Sequence, residues 1–138
     1  MQDASSKTRD AKGKTQVAGN MQHGWSVVRR WSFVVLWMGV IFWFSAQPEE
    51  ALNFGQSTLV SKLAHVTEYA ILGWLIQWAR GGRNMRRMWW QSWLIAVLYA
   101  ATDEFHQSFT PGRTPAVTDA MIDLFGAAMG VGLAVWRS

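Results

Sequence analysis

Residues 88–113 read MWWQSWLIAVLYAATDEFHQSFTPGR, an apolar run that passes directly into a polar stretch. The run covers residues 88–102 and the polar stretch covers residues 103–113. The stretch holds two carboxylates, one of the three histidines of the chain, an amide and an arginine. Packing alone gives no reason for so many polar groups at the end of an apolar segment, so we expect the chemistry of the chain there.

Three further apolar runs accompany this one, at residues 26–45, 63–78 and 117–136. Half of the 138 residues are apolar and ten are tryptophan, so a soluble domain of this composition would expose too much apolar surface. A helix needs about 20 residues to cross a bilayer. The first and last runs meet this length, and the other two meet it when their polar ends are included. The sequence predicts an all-α, integral membrane four-helix transmembrane bundle.

Basic residues are distributed unevenly between the two sides of such a bundle. Eleven of the 13 lie at or before the start of the first run, between the second and third runs, or after the fourth: Lys7, Arg9, Lys12, Lys14, Arg29, Arg30, Arg80, Arg83, Arg86, Arg87 and Arg137. Only Lys62 and Arg113 lie on the other side. The positive-inside rule then places both termini in the cytoplasm. The sequence pI near 10 therefore reflects topology and contact with anionic lipids, and we expect no nucleic-acid partner.

The composition divides the chain into a polar N-terminal region and a membrane domain. Residues 1–24 are polar and rich in Lys, Gln, Ser and Gly, which predicts a disordered cytoplasmic tail because such a segment buries too little apolar surface to fold. Residues 25–138 form the predicted four-span membrane domain. The chain has no cysteine, so disulfides and thiolate chemistry are excluded.

Helix-breaking residues predict where the spans end. Pro48 ends the first helix, and a short surface helix is expected around residues 51–54. Gly81 and the glycine after it break the chain after the second span. The third helix is expected to continue through Asp103 to about Gln107, because the first strong breaker is at Pro111.

The polar residues of all four spans fall at the outer end of the predicted bundle. They are Ser45 and Gln47 in the first span, Lys62, His65, Glu68 and Tyr69 in the second, Asp103, Glu104, His106 and Gln107 in the third, and Asp119 and Asp123 in the fourth. Asp123 is about 6 Å deeper than Asp119, since a helix rises about 1.5 Å per residue. Ionisable groups at such depth usually face the bundle interior. We therefore predict a polar cavity open to the outside, above an apolar and packed inner half.

Most of these residues also have a structural interpretation when taken singly. Lys62 can extend to the interface, and Asp103 and Asp119 can be salt-bridge partners that hold the helices together. Gly126, Gly130 and Gly132, set among alanines, belong to a small-residue face of the kind that brings helices close. The convergence of so many polar groups at one end favours a site.

The polar stretch and its surroundings resemble the VanZ-like family. The resemblance rests on the string DExHQxFxPGR at residues 103–113 with Asp119 after it, and on Ser45-x-Gln47, Lys62-x-x-His65-x-x-x-Tyr69-x-x-Leu72 and Gly126-x-x-x-Gly130. It covers about residues 31–136. The family commonly has asparagine at the position of Asp123. The family is named for an accessory membrane protein linked to resistance to the lipoglycopeptide teicoplanin. The resemblance implies a small multi-pass protein of the bacterial inner or plasma membrane.

Three functions are compatible with these residues. The first is a binding or resistance protein that engages a lipid-linked cell-wall precursor or a lipoglycopeptide, with Arg113 and Lys62 holding phosphate or carboxylate. The second is a hydrolase or transferase in which His106 or His65 is the acid or base, oriented by Asp103 or Glu104, with Ser45 as the candidate nucleophile. The third is a structural membrane subunit. The remaining substrate-binding candidates are Gln47, Glu68, Tyr69, Gln107, Asp119 and Asp123.

A divalent metal is compatible with the first two functions. His65, Asp103, His106 and Asp119 are the candidate ligands, since imidazole nitrogen and carboxylate oxygen both bind Zn²⁺ and similar ions. The spacing of Asp103 and His106 places both on one helical face. The pattern matches no established metal-binding string such as HExxH.

Overall fold

A computed structural model of the chain describes residues 3–47, 58–81, 86–110 and 117–137. These residues form four α-helices, which we number α1 (Asp3–Ser45), α2 (Thr58–Arg80), α3 (Trp89–Gln107) and α4 (Val117–Trp136). No strand occurs among the described residues. The all-helical prediction is therefore confirmed.

The helix ends largely follow the breakers in the sequence. As predicted, α3 continues into the polar stretch and ends at Gln107, and α4 covers the whole fourth apolar run. At the end of α2, Gly81 has a φ of +49°, a left-handed conformation that glycine adopts without the steric cost of a side chain. The short helix expected around residues 51–54 lies outside the described residues, as does Pro48.

The N-terminal region differs from the sequence prediction. Instead of a disordered tail before residue 25, α1 begins at Asp3 and continues without interruption to Ser45. The segment contains no proline and many good helix formers, such as Ala, Lys, Gln and Met. Its described side chains between Lys12 and Gly24 are exposed. The helix there is therefore supported by local propensity and by continuity with the apolar part of α1, and burial contributes little.

Helix α2 lies at the centre of the fold and contacts each of the other three helices. Its buried side chains include Tyr69, Leu72 and Ile76, which are spaced three and four residues apart and form one face. The core continues through Val34 and Ile41 of α1. Alanines complete it on the other two helices.

Glycines bring α2 and α4 into backbone contact. A Cβ added to Gly126 would lie 2.5 Å from the backbone oxygen of Val66. A Cβ added to Gly130 would collide with the backbone oxygen of Ala70, and one added to Gly73 would collide with that of Ala127. The packing role expected for the α4 glycines therefore applies to Gly126 and Gly130. It is wrong for Gly132, which is exposed and has nothing within 4 Å of an added Cβ.

Large apolar side chains are exposed on the outer faces of the helices, on α1 mainly from residue 24 onward. Two segments, Gly24–Ser45 and Val117–Trp136, are long and apolar enough to cross a membrane by length and composition. Large apolar side chains such as Leu36, Leu98 and Phe125 are exposed on them or on α3. Exposed apolar surface of this extent suits contact with a lipid bilayer.

The end of the fold opposite to Gln107 is less apolar than predicted. Gln77 and Ser92 are buried there, and the guanidinium of Arg80 forms hydrogen bonds with α3. The prediction of an apolar inner half is therefore wrong for the described residues. The sequence gave no indication that Arg80 would meet Gln91 and Ser92 across the α2–α3 contact.

Candidate functional site

A buried hydrogen-bond network joins α1, α2 and α3. Gln107 Nε2 donates to Ser45 Oγ at 2.7 Å and to Asp103 Oδ2 at 3.0 Å. Tyr69 Oη donates to the same carboxylate oxygen at 3.4 Å. All four side chains are buried, Asp103 with only 3% of its surface exposed. The α3 residues reach this position because Ala96, Ala100, Asp103 and Gln107 form one continuous buried face of that helix.

A second polar pair joins α2 to α4. His65 Nδ1 and Asp123 Oδ1 are 3.0 Å apart. Asp123 is fully buried, whereas the His65 side chain keeps 14% of its surface exposed. The pair is possible because the backbone contact at Gly126 holds the two helices close enough for short side chains to meet. Binding through Nδ1 leaves His65 Nε2 available for another partner.

Several buried polar atoms near these groups have no hydrogen-bond partner among the described residues. They are Asp103 Oδ1, Asp123 Oδ2, Glu104 Oε1 and His106 Nδ1. Three of these four atoms are carboxylate oxygens, which accept hydrogen bonds when the group is ionised. Buried acceptors without partners are costly, so a ligand that donates hydrogen bonds would be favoured here.

Electrostatic interactions connect the network and the pair. Glu104 interacts with Asp103, with Asp119 and Asp123 on α4, and with His65 on α2. Three other carboxylates and one imidazole therefore lie within electrostatic range of Glu104. This excess of carboxylates favours a ligand with hydrogen-bond donors or positive charge at this point.

The residues predicted to form the site are only partly brought together. Gln47 Nε2 donates to the backbone oxygen of Trp43 in its own helix, at 3.2 Å. Lys62 is partly exposed. Glu68 interacts electrostatically with His65, so its side chain lies near the pair. Arg113 lies outside the described residues.

The candidate catalytic groups are arranged differently from the expectation. Asp103 or Glu104 was expected to orient a histidine, but the carboxylate paired with His65 belongs to Asp123. The ring of His106 instead lies against Phe42, with ring centroids 4.2 Å apart. Ser45 receives its hydrogen bond from the Gln107 amide, whose nitrogen is not a base. The hydrogen-bond partner of Ser45 therefore cannot take its proton and activate it as a nucleophile.

The proposed metal ligands are not assembled into a metal centre. Within the described parts of the four helices, no three His, Asp or Glu side chains are placed to hold a metal ion. His65 uses Nδ1 for Asp123, and Asp103 uses Oδ2 for Tyr69 and Gln107. The positions of these side chains therefore do not support the four metal ligands proposed from the sequence.

Two aromatic residues beside the site were not identified from the sequence. Phe42 covers His106. Tyr99 interacts electrostatically with Asp103 and donates from Oη to the backbone oxygen of Met38 at 2.6 Å. The spacing of four residues between Tyr99 and Asp103 places them on one face of α3, which is a signal that the sequence did contain.

An open groove of about 410 Å³ runs between α1 and α2. Trp37, Leu63 and Ile71 give it a mainly apolar lining, which also includes Glu68. Glu68 interacts electrostatically with His65, a member of what we call the polar cluster: the Ser45–Gln107–Asp103–Tyr69 network, the His65–Asp123 pair and Glu104. Trp37 Nε1 donates to the backbone oxygen of Glu68 at 3.0 Å, which fixes one wall. The polar cluster therefore adjoins an apolar groove.

Comparison with known proteins identifies the family. The family model described as VanZ/LLP1 matches residues 30–138, which include all of α2, α3 and α4 and the apolar part of α1. Comparison with curated proteins gives no match, and neither does comparison with solved structures. Because the family model covers most of the chain, this protein belongs to the VanZ-like family.

Proposed function

We propose that the chain is a four-span protein of the bacterial cell membrane, with both termini in the cytoplasm. The distribution of basic residues supports this topology. The two helices α1 and α4 have span-like composition, and α2 and α3 pack beside them. In this topology the polar cluster faces outward, because Gln107 and Ser45 lie at the ends of their helices that are remote from the basic turn around Arg86.

In this proposal the polar cluster binds the polar head group of a lipid-linked cell-envelope molecule or a lipoglycopeptide. The observation that carries it is the buried Ser45–Gln107–Asp103–Tyr69 network, which leaves Asp103 Oδ1 without a partner among the described residues. Placing a carboxylate at membrane depth costs free energy. A protein that only needed a packed bundle would gain more from apolar residues at these positions.

The chemistry of the cluster indicates which part of a ligand it would contact. The unpartnered carboxylate oxygens of Asp103, Glu104 and Asp123 accept hydrogen bonds, so they suit hydroxyl, amide or ammonium groups such as those of sugars and peptides. Lys62 and Arg113 would take the phosphate or carboxylate. The apolar groove beside Trp37 would take part of the lipid tail.

Binding by the purified full chain in detergent tests this proposal, with teicoplanin and a lipid-linked cell-wall precursor as the two probes. Asp103→Asn keeps the shape of the side chain but removes its charge, and we expect it to weaken binding of the recognised probe about 10- to 100-fold, the range for a hydrogen bond to a charged group. Ser108→Ala is the matched control, since Ser108 is exposed at the same end of α3 and bonds only its own helix. Equal affinities for the two variants would contradict the proposal, as would failure of the wild type to bind either probe.

A hydrolase or transferase is the second candidate, and the His65–Asp123 pair is the observation that favours it. A carboxylate bound to Nδ1 orients a histidine so that Nε2 can accept a proton. Asp123→Asn would keep an oxygen acceptor and remove the charge, so we expect turnover to fall by about 100-fold or more, a larger loss than that of binding. The family commonly has asparagine at the position of Asp123. Catalysis by a His65–Asp123 pair would therefore distinguish this chain from most of the family. Unchanged turnover in Asp123→Asn would exclude it.

A further inference from the structure

Arg80, at the last turn of α2, is held at the end of the fold opposite to the polar cluster. Its Nη1 donates to the backbone oxygen of Met88 and to Ser92 Oγ, each at 3.5 Å. Its Nη2 donates to Gln91 Oε1. All three acceptors are neutral, so they fix the guanidinium in position without compensating its charge.

A second guanidinium, that of Arg30 on α1, lies against the same helix end. Its Cζ is 5.4 Å from the ring centroid of Trp78, within range of a cation–π interaction. A Cβ added to Gly81 would lie 2.6 Å from Arg30 Nη1. The guanidinium therefore packs directly on the residue that follows Arg80, and the two cations flank the C-terminal end of α2.

No carboxylate forms an ion pair with either cation within the described ranges, where the ion pair found is His65–Asp123. The acidic residues of α3 and α4 lie toward the opposite end of the fold, and Glu68, in the middle of α2, is 12 residues from Arg80, about 18 Å along the helix. In α1, Asp10 precedes Arg30 by 20 residues, about 30 Å along a helix. Two fixed positive charges therefore remain without an anionic partner from the described chain.

We propose that Arg30 and Arg80 form a binding site for the phosphate of an anionic phospholipid head group. Guanidinium groups bind phosphate through paired N–H donors. The site adjoins an aromatic surface, since Phe33 packs edge-on against Trp78 with ring centroids 6.2 Å apart and Trp74 stacks on it at 6.2 Å. Tryptophan side chains suit the head-group region of a bilayer, and exposed Phe33 offers an apolar contact to an acyl chain. These features favour a lipid phosphate over a free phosphate ion.

This site is independent of the outward-facing polar cluster and uses none of its residues. It is also more specific than the general attraction of basic segments to anionic membranes, because the surroundings of each guanidinium fix its position. Arg29 provides the contrast, since it neighbours Arg30 in α1 and its side chain is exposed.

Counting the lipids retained by the full chain in detergent, by native mass spectrometry, tests this inference. Phosphatidylglycerol is the probe, and phosphatidylcholine is its zwitterionic control. We expect Arg30→Gln to lower phosphatidylglycerol affinity about fivefold or more, from roughly 1 kcal/mol per basic residue near the head groups. Arg29→Gln should change it less than about twofold in detergent, where no charged membrane surface is present.

Three outcomes would overturn the inference. If Arg29→Gln and Arg30→Gln lower phosphatidylglycerol affinity equally, the lipid responds to net charge and not to a site at Arg30. Equal retention of phosphatidylcholine and phosphatidylglycerol by the wild type would remove the anionic preference. Displacement of the lipid by millimolar glycerol 3-phosphate would identify a free-phosphate site. If Arg30→Gln does not fold, Arg30→Lys keeps the charge without the planar donors, and wild-type affinity in that variant would also contradict the site.

Discussion

Replacement of Gly130 by alanine tests whether backbone contact between α2 and α4 holds the polar site together. In the structure, a Cβ at Gly130 would lie 2.7 Å from the carbonyl carbon of Ala70 and 2.9 Å from the backbone nitrogen of Trp74. Ordinary contacts of a Cβ are 3.4–4 Å. The obstacle is backbone, which cannot rotate away as a side chain can, so the helices would have to separate by roughly 1 Å.

The expected cost follows from this geometry. Overpacking of a close contact costs about 1–3 kcal/mol, and alanine recovers about 0.5–1 kcal/mol through its higher helix propensity. Gly132, two residues later in α4, has nothing within 4 Å of an added Cβ. Gly132→Ala has the propensity gain without the clash, so we expect the two variants to differ by about 1–3 kcal/mol in free energy of unfolding.

Unfolding by titration with sodium dodecyl sulfate, followed by circular dichroism, measures this difference. Gly130→Ala should also weaken ligand binding, because a separation of this size would lengthen the His65–Asp123 contact of 3.0 Å beyond hydrogen-bond range. If Gly130→Ala is as stable as Gly132→Ala and binds as well, the close α2–α4 contact does not determine the site.

Two further predictions concern the network and the topology. Gln107→Leu removes the donor that joins Ser45 and Asp103 and should destabilise the protein by about 1–3 kcal/mol in the same titration; a change under about 0.5 kcal/mol would mean that the network contributes nothing to folding. Because the chain has no cysteine, Ser108→Cys and Arg86→Cys each introduce a single thiol at an exposed position, at opposite ends of the proposed bundle. An impermeant thiol reagent should label Ser108→Cys in intact cells and Arg86→Cys only after permeabilisation, and the reverse pattern would invert the topology.

Helix positions were largely predictable because they depend on local sequence. The fourth apolar run has the same bounds as α4, and the absence of a breaker before Pro111 correctly extended α3 to Gln107. The N-terminal part of α1 was missed because the prediction weighed its low apolar content and gave little weight to helix propensity. The residues between Asp3 and Gly24 need no core to be helical when an apolar helix continues from them.

The partners within the site were much less predictable. Spacing by three and four residues placed His65 and Tyr69 on one face of α2, and both now have partners on other helices. Which carboxylate each would meet depended on how closely α2 approaches α4 and α3. That approach is set by contacts such as Gly126 against Val66, and spacing within one helix carries no information about them.

The end of the fold opposite to Gln107 illustrates the same limit on predicting contacts between helices. Arg80 was interpreted from the sequence as a charge that sets topology, and Ser92, within the apolar run at residues 88–102, was not identified. The structure joins them by a hydrogen bond across α2 and α3. A count of charges on each side of a membrane cannot distinguish a solvated arginine from one held by neighbouring side chains.

We propose that the network around Asp103 faces outward and engages a cell-envelope ligand. The most direct test of this proposal is the lipoglycopeptide susceptibility of a sensitive bacterium that makes the wild type, Asp103→Asn or Ser108→Ala at matched membrane levels. We expect the wild type and Ser108→Ala to protect the cells and Asp103→Asn not to protect them. Equal protection by all three proteins, or no protection by the wild type, would contradict this proposal.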